Sequence, residues 1–169
     1  MLDYMKIISI DPGYDRVGVA IIETDPTSPN KDSVLFSDCI TTKRTADFYE
    51  RLKQIQTELS SILTKYSPEH LVMEELYFAN NSPTALRVSE ARGIISGEAL
   101  RYNIPVHEIH PNHVKIAITG HGAAKKADML FMLPKLIHFK PTTNLDDEID
   151  AIAIGVAFIA HKKFNNLTK

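Results

Sequence analysis

Four acids in this chain, Asp11, Glu74, Asp147 and Asp150, stand where a fold could gather them. Asp11 closes the apolar run Ile7-Ile8-Ser9-Ile10 and opens the turn Asp11-Pro12-Gly13, while Glu74 closes the run from His70 to Met73. Asp147 and Asp150 are three apart at the start of a helical pattern, so their side chains share one face. Carboxylates held together repel one another and raise each other's pKa, a cost that a divalent cation removes. Magnesium suits such a set, with manganese as a substitute: it takes hard oxygen ligands, keeps several waters and completes its shell with substrate phosphate. Two ions so held clamp an in-line phosphoryl displacement, one activating water and the other stabilising the leaving 3′-oxygen. Catalytic and metal-binding roles therefore fall on the same four residues. Zinc is disfavoured, because Cys39 is the single cysteine and His110, His113 and His121 have a poor ligand spacing.

Each acid also has a plainer reading. Asp11 ahead of Pro-Gly suits a turn former, and Glu74 and Glu75 suit surface acids after a strand. Asp147 and Asp150, with Asp146 and Glu148, suit the complement of a helix N-terminus. What separates the readings is the order of the elements that carry them.

Alternating or continuous apolar runs predict strands at Lys6 to Ile10, Val17 to Ile22 and Val34 to Thr41, joined by turn-rich segments. Asp47, with Glu50 three positions on, begins a helix whose apolar residues recur from Leu52 to Tyr66, up to the Ser67-Pro68 break. A strand from His70 to Met73 follows, then a helix from the Ser82-Pro83 cap to about Tyr102, and a fifth strand from Val106 to Ile109. Helices at Asn112 to Thr119, Lys125 to Leu136 and Asp147 to His161 complete the pattern, with Lys162 to Lys169 read as an unpacked, flexible tail. Three antiparallel strands followed by parallel additions predict an α/β fold with a five-stranded mixed sheet flanked by helices. In that sheet the ends of the first and fourth strands, and so Asp11 and Glu74, lie side by side on one edge.

With 169 residues the chain makes one domain, its core spanning about 5–160. The net charge of −2 argues weakly against a polyanionic partner, but distribution outweighs the sum. Lys115, Lys125, Lys126 and Lys135 fall in a stretch, His110 to His138, whose single acid is Asp128. The longest apolar stretch, Ala151 to Ala160, is far short of the roughly 20 residues that span a bilayer. No membrane association is expected, and cysteine usage points to a reducing cytoplasm.

Five blocks, in order, carry a family resemblance. They are Ile10-Asp11-Pro12-Gly13 with Val17 to Ile22; Met73-Glu74-Glu75-Leu76-Tyr77; Ala85-Leu86 with Glu90-Ala91-Arg92-Gly93; Pro111 to Met129, holding Val114-Lys115, Thr119-Gly120-x-Gly122 and Lys126; and Asp147 to Gly155. As a set they resemble the RuvC crossover junction endodeoxyribonucleases. The resemblance implies a ribonuclease-H-like fold and a homodimer whose two-fold axis matches that of a four-way (Holliday) DNA junction in recombination and repair. It implies paired symmetric nicks leaving 5′-phosphate and 3′-hydroxyl ends, and a RuvA–RuvB branch-migration complex as partner. It sets Lys115 and Lys126 against the DNA backbone and Tyr77, or its neighbour Phe78, against an unpaired base at the junction centre. The small-residue helix around Ala91 to Gly97 is the expected subunit contact, with close packing inside the monomer as its plainer reading.

Two rival functions share part of this pattern. A ribonuclease H acting on RNA–DNA hybrids uses the same metal logic but would draw its second acid from the first long helix, here Glu50 or Glu58. A non-cutting junction-binding protein would have no use for acids concentrated against phosphate.

Overall fold

Short β-branched runs make the centre of the molecule, and their side-chain parity decides what faces what. The computed structural model describes residues 4–25, 32–76, 83–140, 142–143 and 145–167. Five strands, β1 (Lys6–Asp11), β2 (Arg16–Glu23), β3 (Ser33–Thr41), β4 (His70–Glu74) and β5 (Val106–Ile109), form one sheet in the order β3-β2-β1-β4-β5. β2 runs antiparallel to β1 and β3, whereas β4 is parallel to β1 and β5. The mixed sheet expected from the sequence is thus the one observed.

The helices α1 (Phe48–Tyr66) and α2 (Pro83–Arg101) cover one face, and α3 (Pro111–Thr119), α4 (Lys126–Leu136) and α5 (Asp146–Leu167) cover the other. Successive strand residues point to opposite faces. Ile8 and Ile10 of β1, with Leu71 and Met73 of β4, pack under α1 and α2 beside Ile55, Leu59 and Ile95. Ile7 of β1 and Val72 of β4 pack instead beneath α3 and α5, beside Val114, Ile152 and Phe158. Both faces are fully buried, which is why these strands read as continuous apolar runs.

α5 crosses β1 and β2 closely because small residues line the crossing. A side chain at Gly155 would come within 2.6 Å of Ile22 Cδ1 and Ser9 Oγ. Asp47 caps α1, its carboxylate accepting from the Tyr49 backbone N–H at 2.8 Å. The Ser82 cap expected for α2 lies outside the described residues. The sequence reading is corrected at the end of the chain: Lys162 to Leu167, expected as an unpacked tail, continue α5. Those residues contain neither glycine nor proline to stop the helix, and Lys163 Nζ reaches Asp32 Oδ2 at 2.7 Å. Among the described residues no helix is long and apolar enough to cross a membrane.

Candidate active site

Strand parity carries Asp11 and Glu74 to the same face. Asp11 continues the Ile7-Ser9 row of β1, and Glu74 continues the Val72 row of β4, so both point toward α3 and α5. The parallel register pairs Ile10 with Met73, which leaves the two acids one residue further on as neighbours. Gly18 stands opposite Asp11 on β2. A Cβ there would lie 1.8 Å from the Asp147 carbonyl oxygen, so only glycine lets the first turn of α5 settle on the sheet beside Asp11.

Asp11, Glu74 and Asp150 line one cavity of about 530 Å³, together with Lys115, Lys125 and Lys126. Pro111, Val114, Met129 and Ile154 are apolar parts of the same lining. The sheet thus supplies two acids, α5 a third, and α3 and α4 the cations. Lys126 Nζ stands 2.8 Å from Asp150 Oδ2 and 3.3 Å from Asp146 Oδ2. Partial burial disfavours its charge, but the hydrogen bonds and ion pairs with Asp150 and Asp146 outweigh that and hold its pKa above the ordinary lysine value.

Asp147 points to the β2 side. Its Oδ2 lies 3.0 Å from Arg16 Nε but accepts no hydrogen bond, and it is buried with no donor among the described residues. Arg16 thus pairs with Asp147 by charge and leaves this oxygen incompletely satisfied, a hard acceptor beside the cavity acids.

The electrostatics tie all four acids together. Burial, then the charges of Asp150, Asp147 and Glu74, push the Asp11 carboxyl up to about 7, with Lys126 opposing. Burial and Asp150 likewise raise Glu74, against the pull of Lys115, His110 and Arg92. Among the described residues no three acid, histidine or cysteine side chains are close enough to grip one ion as they stand. The donor set nonetheless fits a hard dication: oxygen ligands only, an unsatisfied buried carboxylate oxygen, and an acid whose charge is suppressed by burial and by its neighbours.

Several residues that the sequence reading left without a role hold this site. Arg92 of α2 is buried and donates to the Glu74 carbonyl oxygen and to the Glu108 carboxylate, fixing the end of β4. Arg51 of α1 is also buried, donating to Thr42 Oγ1 at 2.9 Å, to the Tyr14 carbonyl at 3.0 Å and to Asp15. It thereby locks the turn that follows Asp11. His110 caps α3, its ring Nδ1 accepting from the Asn112 N–H at 3.1 Å, and His121 Nδ1 accepts from Ala123 N–H at 3.1 Å. Glu148, read from sequence as one more acid at a helix start, is buried: Ser37, Thr142 and Thr143 donate to it. Burial pushes its carboxyl up, but those hydrogen bonds outweigh burial and hold it below the ordinary value. Tyr77 and Phe78 lie outside the described residues.

A five-stranded mixed sheet with acids at the adjoining ends of β1 and β4, crossed by a helix that carries two more, is the ribonuclease-H-like fold. Within that class, residues 7–158 match the family described as crossover junction endodeoxyribonuclease RuvC. Relatives of that name include one from Thermotoga petrophila, 37% identical over 89% of this chain and 90% of its own. Another, from Carboxydothermus hydrogenoformans, is 41% identical over 90% of this chain and 94% of its own. Among solved structures, T. thermophilus RuvC in complex with a Holliday junction substrate superposes with a TM-score of 0.87 at 25% identity, covering 95% of this chain and 96% of that one. The yeast mitochondrial Holliday junction resolvase Ydc2, at 17% identity and a TM-score of 0.68, shares the fold over 95% of this chain and 82% of its own. The chain belongs to the RuvC family of crossover junction endodeoxyribonucleases.

Proposed function

We propose that this protein is a divalent-metal-dependent endonuclease that resolves four-way DNA junctions by paired symmetric nicks, leaving 5′-phosphate and 3′-hydroxyl ends. Asp11, Glu74, Asp147 and Asp150 would hold the metal, magnesium by preference and two ions per site, with manganese as a substitute. One observation carries the reading: strand parity turns Asp11 and Glu74 into one cavity with Asp150, and burial there, with the neighbouring acids, pushes Asp11 up to about 7. A bound dication supplies the charge that activates water and stabilises the leaving 3′-oxygen.

The chain's own residues supply the rest. Lys115 and Lys126 line the acid cavity, where their ammonium groups can neutralise a backbone phosphate brought to the acids. Tyr77, a few residues past Glu74, would stack on an unpaired base.

A homodimer suits the outer face of α2. Leu86 and Leu100 are 68% and 60% exposed there, and a side chain at Gly93 or Gly97 would meet nothing within 4 Å. These four residues follow helical spacing along one stripe, a self-complementary surface for a two-fold contact. Ala91 and Ile95, on the opposite side of the same helix, are used up in the monomer core. A RuvA–RuvB motor as partner and a cytoplasmic setting complete the proposal.

The test is cleavage of a synthetic four-way junction labelled on each strand, beside linear duplex and an RNA–DNA hybrid, with magnesium or chelator. Paired nicks that need both metal and Asp11, and vanish in Asp11→Asn, are the expected result. Cleavage of the hybrid alone would make the protein a ribonuclease H, and metal-independent binding without cutting would make it a junction-binding module.

A further inference from the structure

We propose that Glu148 is a positioning residue for the acids on either side of it, fixing the first turn of α5 so that Asp147 and Asp150 meet the sheet in the right place. The inference rests on the reading of those two acids as metal-holding.

Glu148 has no accessible surface, yet no lysine or arginine bridges it among the described residues. Its Oε1 accepts from Ser37 Oγ and from the Thr142 N–H at 2.7 Å. Its Oε2 accepts from the Thr143 N–H at 2.7 Å and from Thr143 Oγ1 at 2.6 Å. The donors come from β3 and from the segment before α5, none from the helix itself. A buried charge is expensive to keep, and an apolar side chain of similar volume, such as leucine, would fill the space without it. What an apolar residue cannot do is fix direction. Four donors on two oxygens set both the rotation and the height of the helix turn, whereas apolar packing leaves it free to slide.

Direction matters here because successive helix residues are about 100° apart. With Glu148 tied toward β3, Asp147 is turned to Arg16 and β2, and Asp150 to the cavity with Asp11 and Glu74. Gly18 already admits the Asp147 carbonyl against β2, so the turn is seated by backbone contact on one side and by the Glu148 bonds on the other. Slippage at either would carry both site acids with it, and small misplacements of reacting groups are costly.

The experiment compares wild-type protein with Glu148→Gln, Ser37→Ala, Thr143→Val and Asp147→Asn. Glu148→Gln keeps the shape but turns one acceptor into a donor facing donors. Its expected signature is an increase of about 10- to 100-fold in the magnesium concentration that half-saturates junction cleavage. Manganese affinity measured by calorimetry should weaken in parallel, junction affinity in chelator should change less than about twofold, and excess magnesium should restore part of the rate. A purely structural role would lower the melting temperature and leave metal affinity alone. Should Glu148→Gln fail to fold, Ser37→Ala and Thr143→Val each remove one donor and should raise the metal requirement several-fold. Wild-type metal affinity in all three, with Asp147→Asn inactive, would overturn the role of Glu148 alone. Undiminished cleavage and manganese binding by Asp147→Asn would overturn the metal site itself, and the positioning role with it.

Discussion

Replacing Asp11 with asparagine should abolish cleavage and, in the presence of chelator, make the protein more stable. The carboxyl sits at about 7 in the folded state against 3.8 when unperturbed. Above pH 3.8 the unfolded chain has released this proton, whereas the folded protein keeps it until about 7, so wild-type stability falls as pH rises through that window. At 1.36 kcal/mol per pH unit, the full separation sets a ceiling of about 4 kcal/mol. Asp11 is only partly buried and water reaches the cavity mouth, so about half of that, roughly 2 kcal/mol, is the working expectation. For a domain of this size that is roughly 4–8 °C in melting temperature at pH 8. The assay is thermal and urea unfolding of wild type and Asp11→Asn in chelator from pH 8 down to 5. The advantage of the variant should be largest at pH 8 and shrink as pH falls below about 7. Magnesium should reverse the order by stabilising the wild type and not the variant. Equal stability of the two proteins at pH 8 in chelator would refute the burial and crowding of this acid, and with them the physical reason for a metal here.

Three further outcomes follow from particular contacts. Gly18→Ala puts a Cβ 1.8 Å from the Asp147 carbonyl, so urea unfolding should show a loss of roughly 2–4 kcal/mol and cleavage should fall at least as far as in a variant of an acid itself. Arg92→Ala strips the Glu74 carbonyl of its guanidinium donor, and it should cost roughly 1–3 kcal/mol of stability while lowering turnover more than junction affinity. Lys115→Ala should weaken junction binding evenly across sequences and reduce the slope of log affinity against log salt by about 1, read by titration at several salt concentrations.

The sheet was readable because burial on both faces makes its strands continuous apolar runs, and because helix punctuation such as Asp47 and Ser67-Pro68 is chemically explicit. The neighbouring strand ends of Asp11 and Glu74 followed from strand order alone. Their facing α5 could also have been read, since each falls an even number of residues from an apolar residue of that face. The supports were not readable. Arg51, Arg92 and Glu148 look like surface charges in a helical pattern, and nothing local says that they are buried; their partners come from other elements, and only tertiary packing brings Ser37 to Glu148 or Glu74 to Arg92. The reach of α5 to Leu167 was missed for a different reason: a polar, amphipathic end lacking a stop signal looks the same as a disordered one until Asp32 is found beside Lys163. Tyr77 lies outside the described residues, so its place near the acids stays part of the proposal.

An acidic cavity ought to repel the phosphate it is meant to cut, and the ion pairs suggest how the sign is reversed. Lys126 is engaged by Asp150 and Asp146, and Arg16 by Asp147, so two cations close to the site are spent on its own acids. A dication taken by Asp150 and Asp147 would cancel those charges, release Arg16 and leave Lys126 only its pair with the exposed Asp146, so that both could turn toward DNA. Metal binding and phosphate binding then reinforce each other through the same carboxylates. Asp150→Asn separates the two effects. In chelator it removes a negative charge and leaves Lys126 only the longer, more exposed pair with Asp146, so it should bind an uncleaved four-way junction several-fold more tightly than wild type. In calcium, which takes the same hard oxygen ligands, the wild type should gain affinity and the variant gain little, so that the ranking inverts. If the wild type binds the junction equally well in calcium and in chelator, the acids and the phosphate are not competing for one cavity, and Lys126 acts as a structural counter-ion rather than a DNA contact.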